Sequence, residues 1–330
     1  MIAGNISKYS CYVKSISCCF ILFFVIALAQ TTSAYELLLG TGEQNSFSHF
    51  VGRAVCRIIR TQSDLSCKAV PSVESSHNLT NLRSGSLDLA LVDSRILHDA
   101  FNNSGFFRFL DITYENLRTL LPLYSVPIAL VARKDAKIHS LDELRGKRFN
   151  AGAPFSLQRF AADNIMDAKG WSKRDFNPFG ELSANHAQDT LALSNGTIQA
   201  MLFIGVQPDP VLAHLLARSK AMLVNMNDAD MKKLVKSRSG FFFNSIPAGT
   251  YRANPEQVVT IATKMVLVTS EDMDGGTVAD IVDAILKNRD QLKKIHPALF
   301  PPRKLETNGQ AGEVQPHPAV AERYARFFEN

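Results

Sequence analysis

A pattern of helix, glycine turn and apolar strand occurs twice along this chain. Residues 82–92 read LRSGSLDLALV, and residues 193–203 read LSNGTIQAMLF. Small or polar residues follow each strand, and ligands of open α/β sheets bind beyond the carboxyl ends of the strands. The repetition therefore predicts an α/β protein with two lobes and a ligand cleft between their strand ends. The alternative is chance similarity, because any α/β protein contains several such joins.

The spacing of apolar residues also predicts the elements beside this cleft. Residues 36–40 form a buried strand, and a helix with one apolar face begins after Ser46. A second such helix begins after Ser156. Ser140 and Glu143 have the spacing of a capping box, which predicts a short helix at that point.

The chain is expected to cross between the two lobes twice. Apolar runs at 117–123 and 128–132 are separated by the sequence YSVP, which we interpret as the first crossing. Residues 241–251 are interpreted as the return crossing. The first lobe then comprises residues 35–124 and 245–330, and the second comprises residues 125–244.

Residues 1–34 have the features of a cleaved signal peptide. Lys8 and Lys14 precede an unbroken apolar run from Phe20 to Ala29, which is short for a membrane span. Small residues allow cleavage after Ala29 or after Ala34. The alternative is a membrane anchor. A signal peptide predicts export to the periplasm.

Charge and motifs argue against several classes of function. The formal net charge is +5, and loss of Lys8 and Lys14 on cleavage leaves +3, which does not indicate a nucleic-acid-binding protein. The sequence contains no Gly-x-Ser-x-Gly, His-Glu-x-x-His or P-loop motif, so catalysis is not expected. Since no metal-ligand spacing is present either, we expect neither a metal nor a cofactor.

Two of the five cysteines, Cys56 and Cys67, remain after the predicted cleavage. Because an exported chain meets an oxidising compartment, a disulfide between them would close a short loop and stabilise the fold by ~2–3 kcal/mol. Two buried free thiols are equally compatible with this spacing.

Nine short motifs occur in order between residues 40 and 318. They are Gly40-Thr41-Gly42, the segments 72–79, 84–94, 123–124, 131–133, 146–148, 246–251 and 267–270, and Pro316-His317-Pro318. Each is weak alone. Together they resemble the TAXI family of solute receptors for TRAP transporters.

The resemblance implies a type II periplasmic-binding-protein fold with a ligand cleft between its lobes. It implies capture of a small organic anion or amino acid, with glutamate-like compounds and dicarboxylates as typical ligands. It also implies delivery of that ligand to the subunits of a TRAP-type membrane permease, usually driven by a sodium gradient. The alternative is a ligand-binding sensor that signals to a membrane receptor. We expect a monomer.

Two departures from the family's pattern concern the ligand. The loop after Asn150 usually reads Gly-x-x-Gly-Ser-Gly-Thr-Arg, whereas Phe155, Leu157 and Gln158 replace the two later glycines and the threonine here. Those glycines would let ligand oxygens approach backbone N–H groups, so the larger side chains should narrow the site. Asp93 stands where the family often has Gln, and an anionic side chain there would favour an amine on the ligand.

The residues expected to bind the ligand follow the predicted strands, lie at the crossing or begin the helix that Ser156 caps. The N–H groups and the dipole at that helix N-terminus attract a carboxylate. The alternative for each residue is an ordinary role in a turn, cap, core or surface ion pair. The set comprises Gly42, Glu43, Ser46, Ser72, Glu74, Asp93, Ser94, Tyr124, Gly152, Ser156, Gln158, Arg159, Phe203 and Gln207.

Overall fold

The computed structural model describes residues 35–73, 75–154, 156–182, 186–300 and 314–321. Residues 1–34, for which a signal peptide is predicted, lie outside the described residues, as do Glu74 and Phe155. Within the described ranges, no helix has the length and apolar character that crossing a membrane requires.

Ten strands of the described chain form one mixed sheet. In chain order they are β1 (Glu36–Gly40), β2 (Ser66–Val70), β3 (Leu89–Asp93), β4 (Leu117–Arg133), β5 (Phe149–Asn150), β6 (Phe179–Gly180), β7 (Ala200–Ile204), β8 (Ala221–Val224), β9 (Phe242–Ile246) and β10 (Val258–Ser270). Their order in the sheet is β2-β1-β3-β10-β4-β7-β5-β6, with β8 paired to β4 and β9 paired to β10.

The sheet has two parallel parts that long antiparallel strands join. In the first half, β1 pairs in parallel with β2 and β3, and in the second half, β5 pairs in parallel with β6 and β7. Between them, β4 and β10 run antiparallel to each other, and β10 also pairs with β3 while β4 also pairs with β7. The helix-turn-strand pattern that occurs twice in the sequence therefore contributes one parallel strand, β3 or β7, to each half.

Helices of the described chain flank both halves of the sheet. They are α1 (Phe47–Gln62), α2 (Ser75–Arg83), α3 (Ser94–Phe101), α4 (Leu157–Lys169), α5 (His186–Asn195), α6 (Pro210–Arg218), α7 (Ala229–Ser237), α8 (Gly275–Lys287) and α9 (Arg289–Ile295). Ser46 caps α1 and Ser156 caps α4. Each serine hydroxyl accepts a hydrogen bond of 3.1 Å from the backbone N–H three residues later in the chain. Both predicted helix starts are confirmed.

Clusters of buried apolar side chains give each half its own core. In the first half, one cluster lies against α1 and α8 and another against α2 and α3. In the second half, one lies against α4 and α7 and another against α5 and α6. The long strands contribute to both cores. Leu121 of β4 and Leu267 of β10 lie in the core of the first half, and Leu130 of β4 and Ile261 of β10 lie in the core of the second half.

The structure differs from the sequence predictions at two places. Residues 124–127 were expected to separate two apolar runs. They lie within the continuous strand β4, because they pair with β10. The prediction of a capping box at Ser140 is also wrong. Glu143 accepts a hydrogen bond from the N–H of His139 (2.6 Å), and only a 3-10 turn, Asp142–Leu144, follows.

A disulfide bond joins Cys56 of α1 to Cys67 of β2, and their Cα atoms lie 5.0 Å apart. Both residues are buried in the core of the first half. Of the two states that the spacing left open, the structure therefore has the disulfide, which fixes α1 to the neighbouring strand.

Candidate functional site

Polar side chains at the strand ends of the first half bind one another. The hydroxyl of Ser72, beyond β2, contacts the carbonyl of Thr41 (2.9 Å), beyond β1, and Oδ1 of Asn78 (2.7 Å). The amide nitrogen of Asn78 donates to the same Thr41 carbonyl (2.8 Å) and to that of Leu91 in β3 (3.3 Å). Because Asn78 and Thr41 are fully buried, this network fixes the three strand ends relative to one another.

Asp93 ends β3 and caps α3. One carboxylate oxygen accepts from the N–H of Arg95 (2.9 Å), and the other accepts from the hydroxyl of Thr263 in β10. Burial raises the pKa of Asp93, and these hydrogen bonds partly oppose that rise. Both oxygens are thus bound inside the protein, which gives Asp93 a structural role beside its predicted ligand contact.

The first turn of α3 contacts the second half of the molecule. The hydroxyl of Ser94 donates to the carbonyl of Gly240 (3.2 Å), and Nη1 of Arg95 donates to the carbonyl of Ser239 (2.9 Å). Gly240, which follows α7, has a φ of +90°, and a Cβ there would lie 3.0 Å from Cα of Arg95. Glycine is therefore required for this close approach.

Asn150 organises the strand ends of the second half. Its Oδ1 accepts from the N–H groups of Gly152 (3.1 Å) and Leu182 (3.0 Å), and its Nδ2 donates to the carboxylate of Asp189 (2.9 Å). Asp189 is 1% exposed, and burial raises its pKa to about 6. Gly152 has a φ of +86°, and a Cβ there would lie 2.8 Å from Cβ of Gln158, so the loop lies directly against α4.

A cavity of about 1050 Å³ lies between the two halves. Its volume lies just above the range for pockets that hold drug-sized ligands, about 300–1,000 Å³. The first half contributes α3 and the 3-10 turn Gly105–Phe109, and the second half contributes the loop before α4, α4 itself and Arg238. Two of the predicted site residues, Ser156 and Arg159, line this cavity.

Charged side chains at the cavity form ion pairs. Arg159 of α4 lies 2.7 Å from Asp163 and 2.5 Å from Glu181. Arg95 of α3 pairs with Asp99, and both are buried. The Nε of Arg95 has no hydrogen-bond partner among the described residues. The carboxylates Asp163 and Glu181 are partly exposed, so an anion that enters the cavity would compete with weak pairs around Arg159.

Comparison with known proteins identifies the family. The profile of the NMT1-like family matches residues 39–326, which is most of the chain. The chain belongs to the NMT1-like family.

Solved structures that resemble this NMT1-like protein share its fold. PhnD1 from Prochlorococcus marinus in complex with methylphosphonate has a TM-score of 0.53 and 13% identity, covering 89% of this chain and 98% of that one. A TctC solute-binding protein from Polaromonas without ligand has a TM-score of 0.52 and 17% identity, covering 80% and 89%. A Xanthomonas citri protein bound to ATP has a TM-score of 0.51 and 12% identity, covering 89% and 95%. The fold is that of the two-lobed periplasmic solute-binding proteins, as predicted.

Other predicted site residues of the NMT1-like chain have partners within the protein. Tyr124 is buried, and its ring packs edge to face against Phe47 of α1 at 5.1 Å between centroids. Burial raises the pKa of Tyr124. Phe203 belongs to the core cluster against α5 and α6, and the side chain of Gln207 accepts a hydrogen bond from the hydroxyl of Tyr251. These contacts give the three residues structural roles, and their ligand contacts stay predictions.

The remaining described residues of the predicted set lie between β1 and α1 and in the first turn of helix α4. Between β1 and α1, Glu43 is exposed, Ser46 caps α1, and the N–H of Gly42 donates to the hydroxyl of Ser48 (3.2 Å). In α4, Gln158 is buried beside the loop that follows β5. Glu74 lies outside the described residues.

Sequence reasoning missed the first-half wall of the cavity. That wall includes Arg95, Asp99, Phe106 and Phe109. A capping Asp93 followed by apolar residues at helical spacing could have predicted α3. The turn after α3 folds back onto Asp99 through Ser104 and Gly105, which follow it by five and six residues, and the sequence analysis did not identify this local turn.

Proposed function

We propose that this protein is a periplasmic solute-binding receptor whose two lobes close around a small organic molecule. The observation that supports this most is the cavity between the halves, with α3 on one wall and α4 on the other. A ligand that contacts both walls would stabilise the closed arrangement by its extra contacts there. Membership of the NMT1-like family and the shared fold agree with this proposal.

The finer proposal is a TAXI-type receptor of a TRAP transporter. It would bind a small organic anion or amino acid, such as a glutamate-like compound or a dicarboxylate, and deliver it to the permease subunits. The ordered motifs between residues 40 and 318 support the family assignment. The signal-peptide features of residues 1–34 support export.

The N-terminus of α4 supports an anionic ligand. Ser156 caps this helix at the cavity, where the first N–H groups and the helix dipole favour negative charge. Arg159 lies one turn further along the same wall. A ligand carboxylate would take the place of Glu181 beside Arg159, so the guanidinium would stay paired throughout the exchange.

We propose that β4 and β10 carry the two crossings between lobes. The predicted boundary at residue 125 falls within β4. Ile246, Tyr251 and Val258 pack in the cluster against α5 and α6, which belongs to the second half. The return crossing would therefore lie within β10 rather than at 241–251, and bending of these two strands would let the lobes open.

Ligand binding is the direct test. The purified protein is unfolded in guanidinium chloride, dialysed to remove any retained compound and refolded with its disulfide intact. It is then screened by thermal shift against amino acids, dicarboxylates and other small organic anions. A ligand at 100 times its Kd should add about 2.7 kcal/mol of stability. The bound compound should be recovered unchanged, since a receptor does not turn it over.

A matched pair of arginine variants tests the anion site. We expect Arg159→Gln to weaken binding of the best anion by about tenfold or more, because a charge-assisted hydrogen bond contributes roughly 1.5–3 kcal/mol. Arg174→Gln removes an exposed charge from a 3-10 turn of the same half and should leave the affinity unchanged. Absence of binding by every compound in the panel would contradict the receptor function.

A further inference from the structure

One wall of the cavity presents exposed aromatic side chains. Phe106 and Phe109, in the 3-10 turn after α3, are 53% and 73% exposed, and both line the cavity. Leu157 and Phe160 of α4 and Ile96 of α3 also line it. Exposed large apolar side chains that cluster in this way mark a surface that is covered when the protein works.

The aromatic turn is held in place by its neighbours. Between Phe106 and Phe109, the ring of Phe107 is buried and packs edge to face on Tyr114 at 5.4 Å between centroids. Gly105, at the start of the turn, has a φ of +57°, and a Cβ there would lie 2.9 Å from Oδ2 of Asp99. The two exposed rings therefore stand on a fixed support, as a binding wall requires.

Asp99 connects this support to the base of α3. Its carboxylate accepts from the hydroxyl of Ser104 (2.5 Å) and from the guanidinium of Arg95. The N–H of Ser104 also donates to the carbonyl of Asp99 (2.8 Å). Because Arg95 in turn binds the carbonyl of Ser239, the aromatic wall is coupled to the contact between the two halves.

The chemistry of the cavity points to a ligand that has an apolar part. A fully polar ligand would leave the apolar side chains of this wall against water and gain nothing from them. An aromatic body would pack on Phe106 and on Phe109, whose ring also has the guanidinium of Arg108 over it at 4.5 Å. Its carboxylate would meet the N-terminus of α4 and Arg159 on the opposite wall.

We propose that the cavity binds arylalkyl carboxylates, that is, organic acids with an aromatic ring and a short flexible link to the carboxylate. This inference rests on the proposed receptor function and specifies its ligand class. Phe106 and Phe109 form the subsite for the ring. Ser156 and Arg159 form the subsite for the acid group.

Titration calorimetry on the refolded protein tests the class with matched probes. The aromatic acids are 3-phenylpropanoate and indole-3-acetate, the small diacid is glutarate, and 3-phenylpropan-1-ol is the uncharged control. We expect an aromatic acid to bind at least tenfold more tightly than both glutarate and the alcohol, because binding uses the ring and the charge together. The heat-capacity change should be negative, since apolar surface is buried.

Exposed phenylalanines can be replaced with little effect on the fold. The double variant Phe106→Ala with Phe109→Ala should lose about tenfold or more in affinity for the aromatic acid, while the melting temperature of the unliganded protein stays near that of the parent. Leu191→Ala, which removes an exposed apolar side chain on α5 outside the cavity lining, is the control and should bind like the parent.

The outcomes separate the two proposals. Tight binding of glutarate or glutamate, with no loss in the double variant, would overturn the aromatic ligand class and leave the receptor function standing. An aromatic acid that binds equally well to the parent and to the double variant would also overturn it. Failure of every probe and of the wider anion panel to bind would overturn both proposals.

Discussion

The two halves of the sheet end in polar edges of different construction. In the first half, Thr41, Ser72 and Asn78 bind one another across three strand ends, and a disulfide fixes α1 to β2 nearby. In the second half, the edge depends on Asn150 and on its single bond to the buried carboxylate of Asp189. The buried acid at the first edge, Asp93, is bound by the hydroxyl of Thr263 and the N–H of Arg95, whereas the pKa of Asp189 at the second edge is raised to about 6.

This difference shows what polar residues at strand ends can do. The pattern of small and polar residues after a strand predicts ligand contacts, yet the first-half network is buried and its members satisfy one another. The cavity instead lies beside α3 and the N-terminus of α4. A strand end can therefore position the binding helices without contacting the ligand itself.

Removal of Asn78 should have the largest effect on stability. Asn78→Ala removes the buried hydrogen bonds to the carbonyls of Thr41 and Leu91 and the one from the hydroxyl of Ser72, and we expect a loss of about 3 kcal/mol in the free energy of unfolding. Urea denaturation measures it. His77→Ala, on the exposed side of the same helix, should cost less than about 0.5 kcal/mol. Equal losses in both variants would show that the network is not what fixes this edge.

Loss of the disulfide should have a slightly smaller effect. The bond closes a loop with a sequence separation of 11, so Cys56→Ala with Cys67→Ala should lower the free energy of unfolding by about 2–3 kcal/mol. Reduction of the parent protein should lower its free energy of unfolding by the same amount. If the reduced parent were as stable as the oxidised one, the disulfide would not contribute to the stability of the first half.

Gly240 tests the contact between the halves. In Gly240→Ala the alanine would have an unfavourable positive φ, and its Cβ would lie too close to the backbone of Arg95. We expect the free energy of unfolding to fall by about 2 kcal/mol. Gly249→Ala is the control, because its φ is +74° but no atom lies within 4 Å of the added Cβ, so only the strain of about 1 kcal/mol applies. If the two variants lose equal stability, the approach of Gly240 to Arg95 is not a tight contact in solution.

A pH dependence of stability is expected from Asp189. Its pKa of about 6 in the folded protein lies above the unfolded value near 3.9, so the folded state retains a proton that the unfolded state has lost. The stabilisation is complete below about pH 4 and is lost as the pH rises through 6. We expect Asp189→Asn to reduce the change of the urea midpoint with pH between pH 4 and 7.

Asp274 provides a control of opposite sign. The N–H of Thr277 lowers the pKa of this capping carboxyl, so its contribution is lost as the pH falls rather than as it rises. Asp274→Asn should therefore change only the acid side of the profile. A profile of Asp189→Asn that matches the parent's across pH 4–7 would contradict the buried-acid assignment.

Much of the fold could be predicted from the sequence, because it depends on local signals. Apolar periodicity and the caps Ser46 and Ser156 determine where helices begin, and the repeated helix-turn-strand pattern identifies β3 and β7. The Ser140 capping box failed, since Glu143 bonds one residue earlier than the motif requires. Local spacing alone does not decide which of two neighbouring N–H groups a carboxylate binds.

The site could be predicted only on one wall. Ser156 and Arg159 follow a strand and begin a helix, which is a recognisable arrangement, and both line the cavity. The opposite wall depends on how the turn at Phe106 and Phe109 folds back onto Asp99. That fold-back is a local contact, since Ser104 binds Asp99 five residues earlier, but the place of the turn beside α4 depends on how the two halves pack, for which the sequence contains no separate signal.

Hydrogen–deuterium exchange with and without the best-binding anion tests the central claim most directly, because it locates the ligand and reports closure together. The receptor account predicts slower exchange on both walls of the cavity, in residues 94–109 and 156–163, and at the contact between halves, residues 239–240. Protection confined to one half, or located away from the cavity, would contradict closure of two lobes around a ligand.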